Sequence, residues 1–347
     1  MYRVLAAVMT IVALAVFAAP SMAAPLRPGE LGSREAVLAW MNGYRASRDP
    51  AHVPQAVQAM SQLGIFKDPE NAGAYVGFIA GAIGATPAQA ESLIARMLPL
   101  PPEDEWAVVQ AIAYSELPGW KSLLRTFTER LPARRLMIEK YLNGQLPTLD
   151  QAGFAEEPGT FAKLGGYLGF GDKKPRTVAL TPSPALLDVL WGYYCATGAF
   201  NPAVSRIVAL VSWAKDRDDV DRLTLGGMAK YTLAANAAKD AKLLAMLKGV
   251  AKYYPKETKA GLDEVVEAAE TVDLARLRRE ALASIDELKR KGPGYKRDVS
   301  LWGQIGQGAL ALGCIGAAAA GQIEFGIPCV VGVAVSSAGL HYWETQK

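Results

Sequence analysis

From Ser33 to Gly144 apolar residues recur at spacings of three and four, and the pattern is broken at short intervals by Pro, Gly, Asp and Asn. A period near 3.6 demands helix, and punctuation this frequent keeps each helix short, so that each must bury its apolar face on a neighbour. The spacing predicts helices over 52–63, 70–83, 103–115, 119–130 and 133–143, with Ser33 as the N-cap of an earlier one and Thr86-Pro87 opening another. Glu103-Asp104-Glu105, after Pro101-Pro102, belongs in a first turn, where carboxylates meet the positive end of the helix dipole. Alanine supplies much of the 51% hydrophobic fraction, and it is the residue that best favours helix.

Helical periodicity stops over 145–183, where Pro147, Gly153, Pro158, Gly165, Gly166, Gly169, Gly171, Pro175 and Pro182 crowd together. Excursions of this length are binding loops, lids or linkers, and this one divides the chain into helical domains at 24–144 and 184–300. Helices resume over 184–197, 202–214, 218–235 and 238–253, followed by a charged amphipathic stretch over 257–291 that Thr271 divides in two.

The N-terminus gives the chain an address. Arg3, an apolar run from Val4 to Ala19, Pro20 and the small residues Ser21-Met22-Ala23 follow the order of a secretory signal peptide, with cleavage expected after Ala23. Residues 1–23 are then a signal peptide, and the protein is exported to the periplasm or cell envelope. Their removal takes away one charge, Arg3, and lowers the formal net charge from +3 to +2. A near-neutral balance spread along the chain argues against a nucleic-acid partner, which requires a concentrated basic face.

Gly77-Phe78-Ile79, followed by Thr86-Pro87-Ala88 and an apolar helix, recurs as Gly192-Tyr193-Tyr194 followed by Asn201-Pro202-Ala203 and another, at a constant offset of 115. Helix, short turn, helix is the repeating unit of an α-solenoid. The layout resembles that of exported bacterial α-helical repeat proteins of the TPR-like or HEAT-like kind, though it lacks the diagnostic TPR residue pattern. That resemblance implies an all-α, solenoid-like array of short helical hairpins. A concave solenoid surface lined by aromatic rings suits peptide capture, and Trp191, Tyr193 and Tyr194 are the candidate binding residues.

Chemistry-bearing patterns fall short of their templates. The glycines of 166–171 with Lys173 miss a phosphate-binding loop by one position and lack the Ser or Thr that should follow, and Gly306-Gln-Gly308 lacks a surrounding βαβ unit. Asp216, Asp218, Asp219 and Asp221 lack the glycine and terminal glutamate of an EF-hand and read as helix caps. With no Cys-x-x-Cys and only His52 and His341, neither a metal site nor a cofactor is expected. The enzymatic alternative is an envelope hydrolase acting on peptidoglycan, with Glu116 as its acid in an apolar pocket.

Apolar runs over 308–321 and 325–340 follow a basic cluster at 289–297, with Ala309, Gly313, Ala317 and Gly321 recurring every four positions. They predict a Gly/Ala-rich hydrophobic hairpin at 301–347, closed by a Cys314–Cys329 disulfide and touching the membrane surface through residues 289–340, with Cys195 left as a buried thiol. The expected function is an envelope scaffold that binds a protein or peptide partner, the third class being a membrane-active protein working through that hairpin.

Overall fold

The computed structural model describes residues 30–151, 182–216, 219–277, 279–280 and 283. The expected signal peptide, the expected C-terminal hairpin with Cys314 and Cys329, the basic cluster at 289–297 and most of the 145–183 segment lie outside the described residues. Those that are described are predominantly helical and include no strand.

Helix ends follow local chemistry. In α1 (Arg34–Ser47) the Ser33 hydroxyl accepts the Ala36 N–H at 3.2 Å, and the helix ends at Arg48 in the left-handed region. Helix α2 (Val53–Gln62) leads to α3 (Gly73–Ala85), in which every residue from Gly73 to Ile83 is buried. A helix apolar on all sides belongs in the centre of a fold. Next come α4 (Ala90–Met97), preceded by a 3₁₀ turn that opens with Pro87, and α5 (Glu105–Tyr114), with Asp104 at its N-cap position. The hairpin α6 (Trp120–Thr126) and α7 (Arg135–Leu142) completes the first half.

The second half opens with α8 (Pro184–Thr197), capped by Ser183 accepting from Leu186 N–H at 3.1 Å and closed by Gly198 at φ 60°. A short α9 (Ser205–Ala209) and a 3₁₀ segment, Val211–Lys215, precede α10 (Val220–Ala237). Asp219 caps α10 by accepting from the backbone N–H groups of Asp221 and Arg222, which is the capping role expected of this acidic group. Asp240 does the same for α11 (Ala241–Val250), and α12 (Lys256–Thr271) stops where Val272 turns left-handed at φ 56°. The expected division of 257–291 at Thr271 therefore falls at a helix end.

The centre of the molecule is the α3–α8 pair. A Cβ placed on Gly77 would stand 2.7 Å from the carbonyl carbon of Val189, and one placed on Gly192 would stand 2.7 Å from that of Ala74. Ala74 and Val189 are themselves 115 positions apart, as are Gly77 and Gly192, so the contact is reciprocal: each helix offers its glycine to the same point on the other. Gly73 and Gly81 extend the stripe on α3, meeting the Ala185 and Tyr193 carbonyls. Small residues four apart let two backbones touch, and the offset seen in the sequence becomes a packed, two-fold-like pair.

This pairing is long-range in sequence, joining helices far apart in the chain. The described helices before and after the 145–183 segment contribute to one hydrophobic core, with α3 packed on α8. Around the pair, Trp40, Tyr44 and Phe78 meet edge to face at 5.0–5.4 Å and fix α1 on α3. Arg45 of α1 and the Tyr194 hydroxyl of α8 both bond Asp240, tying α11 to the centre.

Candidate functional site

A cleft of about 190 Å³ opens where α3, α5 and the first turn of α8 converge. Its wall from α5 is Trp106, Gln110 and Tyr114, spaced four apart and so stacked on one helix face. Gly73 and Val76 of α3 form a second wall, and Ser183, Ala185, Leu186 and Val189 the third, with Pro69 at the edge. Small residues on α3 and α8 leave the space; the large side chains of α5 frame it.

The polar groups of the cleft are held in place. The Trp106 indole N–H donates to the Phe66 carbonyl at 3.0 Å, and its ring meets Phe66 edge-on. Gln110 and Tyr141 hydrogen-bond the Tyr114 hydroxyl, and burial pushes that phenol above its ordinary pKa. Every residue lining the cleft is uncharged. The site therefore suits an uncharged side chain whose tip can meet an amide or a hydroxyl.

Trp191, Tyr193 and Tyr194 do not line this or any other surface. They are 0, 5 and 2% exposed, because Gly192 draws α8 against α3 and carries the flanking rings into the core. The Tyr193 hydroxyl donates to the Ser115 carbonyl at 3.3 Å, and burial pushes its pKa up to about 12. Tyr194 donates to Asp240 at 2.7 Å. All three side chains pack into the core.

Glu116 follows α5 in a left-handed conformation, φ 59°, and is ion-paired with Arg206 of α9. A carboxylate held by a guanidinium is not the isolated acid in an apolar pocket that the hydrolase alternative requires. Cys195 is buried beside the Asn42 side-chain oxygen, and burial pushes its thiol up to about 11. His52 closes a 3₁₀ turn in contact with Asp49 at 2.7 Å, and Arg222 pairs with Asp216 at 3.3 Å. Among the described residues no group of three or more His, Cys, Asp or Glu is placed to hold a metal ion, and no helix is long and apolar enough to cross a membrane.

Sequence reasoning passed over Trp106, Gln110 and Tyr114, although their spacing of four was a usable signal. No protein-family model, curated protein or solved structure matches this chain.

Proposed function

We propose that this chain is an exported α-helical scaffold that binds a protein or peptide partner, seating one uncharged side chain of that partner in the cleft between α3, α5 and α8. The observation that carries the reading is the size and lining of the cleft. At about 190 Å³ it lies below the roughly 300–1,000 Å³ of small-molecule pockets, yet it has room for one large side chain between fixed aromatic walls. Buried aromatic frames with a few placed polar groups are where peptide interfaces concentrate their energy. In this reading the sequence-adjacent helices on either side of α3 and α8 are hairpin arrays of the solenoid kind. The segment 301–347 is a hydrophobic hairpin, stapled by Cys314–Cys329, and residues 289–340 lie at the membrane surface.

Filling the cleft tests the proposal. A photo-crosslinking residue at Gln110 is expected to give a discrete envelope-protein adduct in cells, and Ala185→Phe, which occupies the cleft from the α8 side, is expected to abolish it while leaving the helical circular dichroism unchanged. An adduct that persists with the cleft filled would overturn the reading. The address is checked separately by N-terminal sequencing, which should return Ala24; Met1 on envelope-fraction protein would overturn export with cleavage.

A further inference from the structure

Residues 119–142, which hold α6 and α7, carry six cations (Lys121, Arg125, Arg130, Arg134, Arg135, Lys140) against Glu129 and Glu139. Their net of +4 exceeds the +3 of the whole chain, so the remainder is slightly acidic. The near-neutral total conceals a concentrated basic segment, contrary to the even spread inferred from composition.

Folding leaves five of these six cations exposed. The Lys121 ammonium donates to the Leu142 carbonyl at 3.3 Å, and Trp120 meets Tyr141 edge-on at 6.4 Å, so the start of α6 lies beside the end of α7 and the two run antiparallel. The buried side of the hairpin is Leu124, Phe127, Leu131, Ile138 and Tyr141. Lys121 and Arg125 on α6, and Arg135 and Lys140 on α7, are exposed. Among them stands Leu136, 65% exposed, one of three large hydrophobic side chains so exposed among the described residues. Its neighbour one turn along the helix is Lys140.

Several of the cations have structural work. Arg130 donates to the Ala95 carbonyl at 3.1 Å, Arg134 to those of Pro102 and Glu103 at 2.9 Å, and Arg135 pairs with Glu129 at 2.9 Å. Among the described residues, Arg125 and Lys140 make no such contact, and Lys140 stands one turn from the protruding Leu136. An exposed leucine beside basic side chains suits a membrane interface, where the apolar tip enters the acyl boundary while the cations meet headgroups. An acidic protein surface would meet the cations but leave the leucine without an apolar host.

We propose that the outer face of the α6–α7 hairpin docks on anionic lipid, with Arg125 and Lys140 meeting phosphate headgroups and Leu136 entering the interface. The surface shares no residue with the peptide cleft or with 289–340, and it does not depend on the function proposed for either.

The test uses the full-length chain with vesicles of phosphatidylglycerol and phosphatidylcholine in equal parts, and of phosphatidylcholine alone. Arg125→Glu/Lys140→Glu is expected to weaken binding to the anionic vesicles by about tenfold or more, since each basic side chain near such a surface contributes severalfold. It should leave the weaker binding to neutral vesicles as it was. Lys242→Glu/Lys252→Glu, which makes the same change of net charge on exposed residues elsewhere, should bind as wild type. Leu136→Ser should lower affinity without changing its dependence on salt. Equal anionic-vesicle binding by the Arg125/Lys140 variant and wild type would overturn the proposal and move any anion preference to 289–297. Intact vesicle binding accompanied by lost binding to soluble poly-glutamate would also overturn it, assigning the face to an acidic peptide.

Discussion

Replacing Gly77 with alanine adds one methyl group at the tightest point of the core. The new Cβ would lie 2.7 Å from the carbonyl carbon and 2.8 Å from the Cα of Val189, and because these are backbone atoms no side chain can swing aside. The α3–α8 axes must part by roughly 1 Å, and a gap of that order forfeits a quarter to a half of each dispersion contact across the seam. Overpacking of this kind costs about 1–3 kcal/mol or more, and the gain of up to about 1 kcal/mol from alanine's helix propensity offsets part of it. Gly77→Ala should therefore lower stability by about 1–2 kcal/mol and the midpoint temperature by roughly 2–8 °C. Gly43→Ala is the control: it is exposed within α1, nothing lies within 4 Å of its new Cβ, and it should stabilise by about 0.5–1 kcal/mol. Urea and thermal unfolding followed at 222 nm would measure both. Because Gly77 and Gly192 face the same seam, a helix separation forced by one substitution makes room for the other, and Gly77→Ala/Gly192→Ala should cost clearly less than the sum of the single changes. Strict additivity, or a Gly77→Ala chain as stable as wild type, would refute the backbone contact.

The other predictions concern buried polar groups. Burial pushes Asp240 up, but hydrogen bonds from Tyr194 and Arg45 outweigh it and hold the carboxyl below its usual range. Because folding lowers this pKa, the stabilisation is complete above the unfolded value of about 4 and is lost as pH falls through the folded one. Asp240→Asn, which keeps the cap, should cost about 2 kcal/mol at pH 7 in denaturant titrations, with the difference closing in acid; a constant difference across that window would refute the account. In a Cys314→Ser/Cys329→Ser background, Cys195 should react with iodoacetamide at pH 8 at least about 100-fold more slowly in the folded chain than in urea, because burial keeps it a thiol. Glu264 holds the buried Lys230 ammonium and also Lys215, so Glu264→Gln should destabilise by about 2–3 kcal/mol, and Lys230→Met should recover part of that loss.

The parts of this fold that local chemistry writes were legible. Ser33 caps α1 and Asp219 caps α10 as their positions before apolar periodic runs imply, and Thr271 ends α12. Helix pairing was not legible in the same way, since it depends on which surfaces fit. The signal was nonetheless present, in Gly73, Gly77 and Gly81 spaced by four and in the 115-residue offset that brings Gly77 and Gly192 together. The same signal read the other way explains why Trp191-Gly192-Tyr193-Tyr194 is a poor guide to a binding surface. A glycine amid aromatic residues on a helix marks a backbone approach, and the approach buries its neighbours. For the cleft, spacing alone places Trp106, Gln110 and Tyr114 on one face; what remains invisible in sequence is that small residues on two other helices leave that face uncovered.

The reciprocal seam between α3 and α8 also sets the order in which the chain can mature. Residues 86–183 separate the two helices, so at roughly 5–20 residues per second α3 waits about 5–20 s during synthesis before its partner emerges. Throughout that interval the side of Gly73–Ile83 that meets α8, with its glycine stripe, has nothing to cover it. Truncation anywhere before Pro184 leaves that seam permanently uncovered. Proteolytic loss of the second half would therefore leave an aggregating fragment in place of a smaller stable protein.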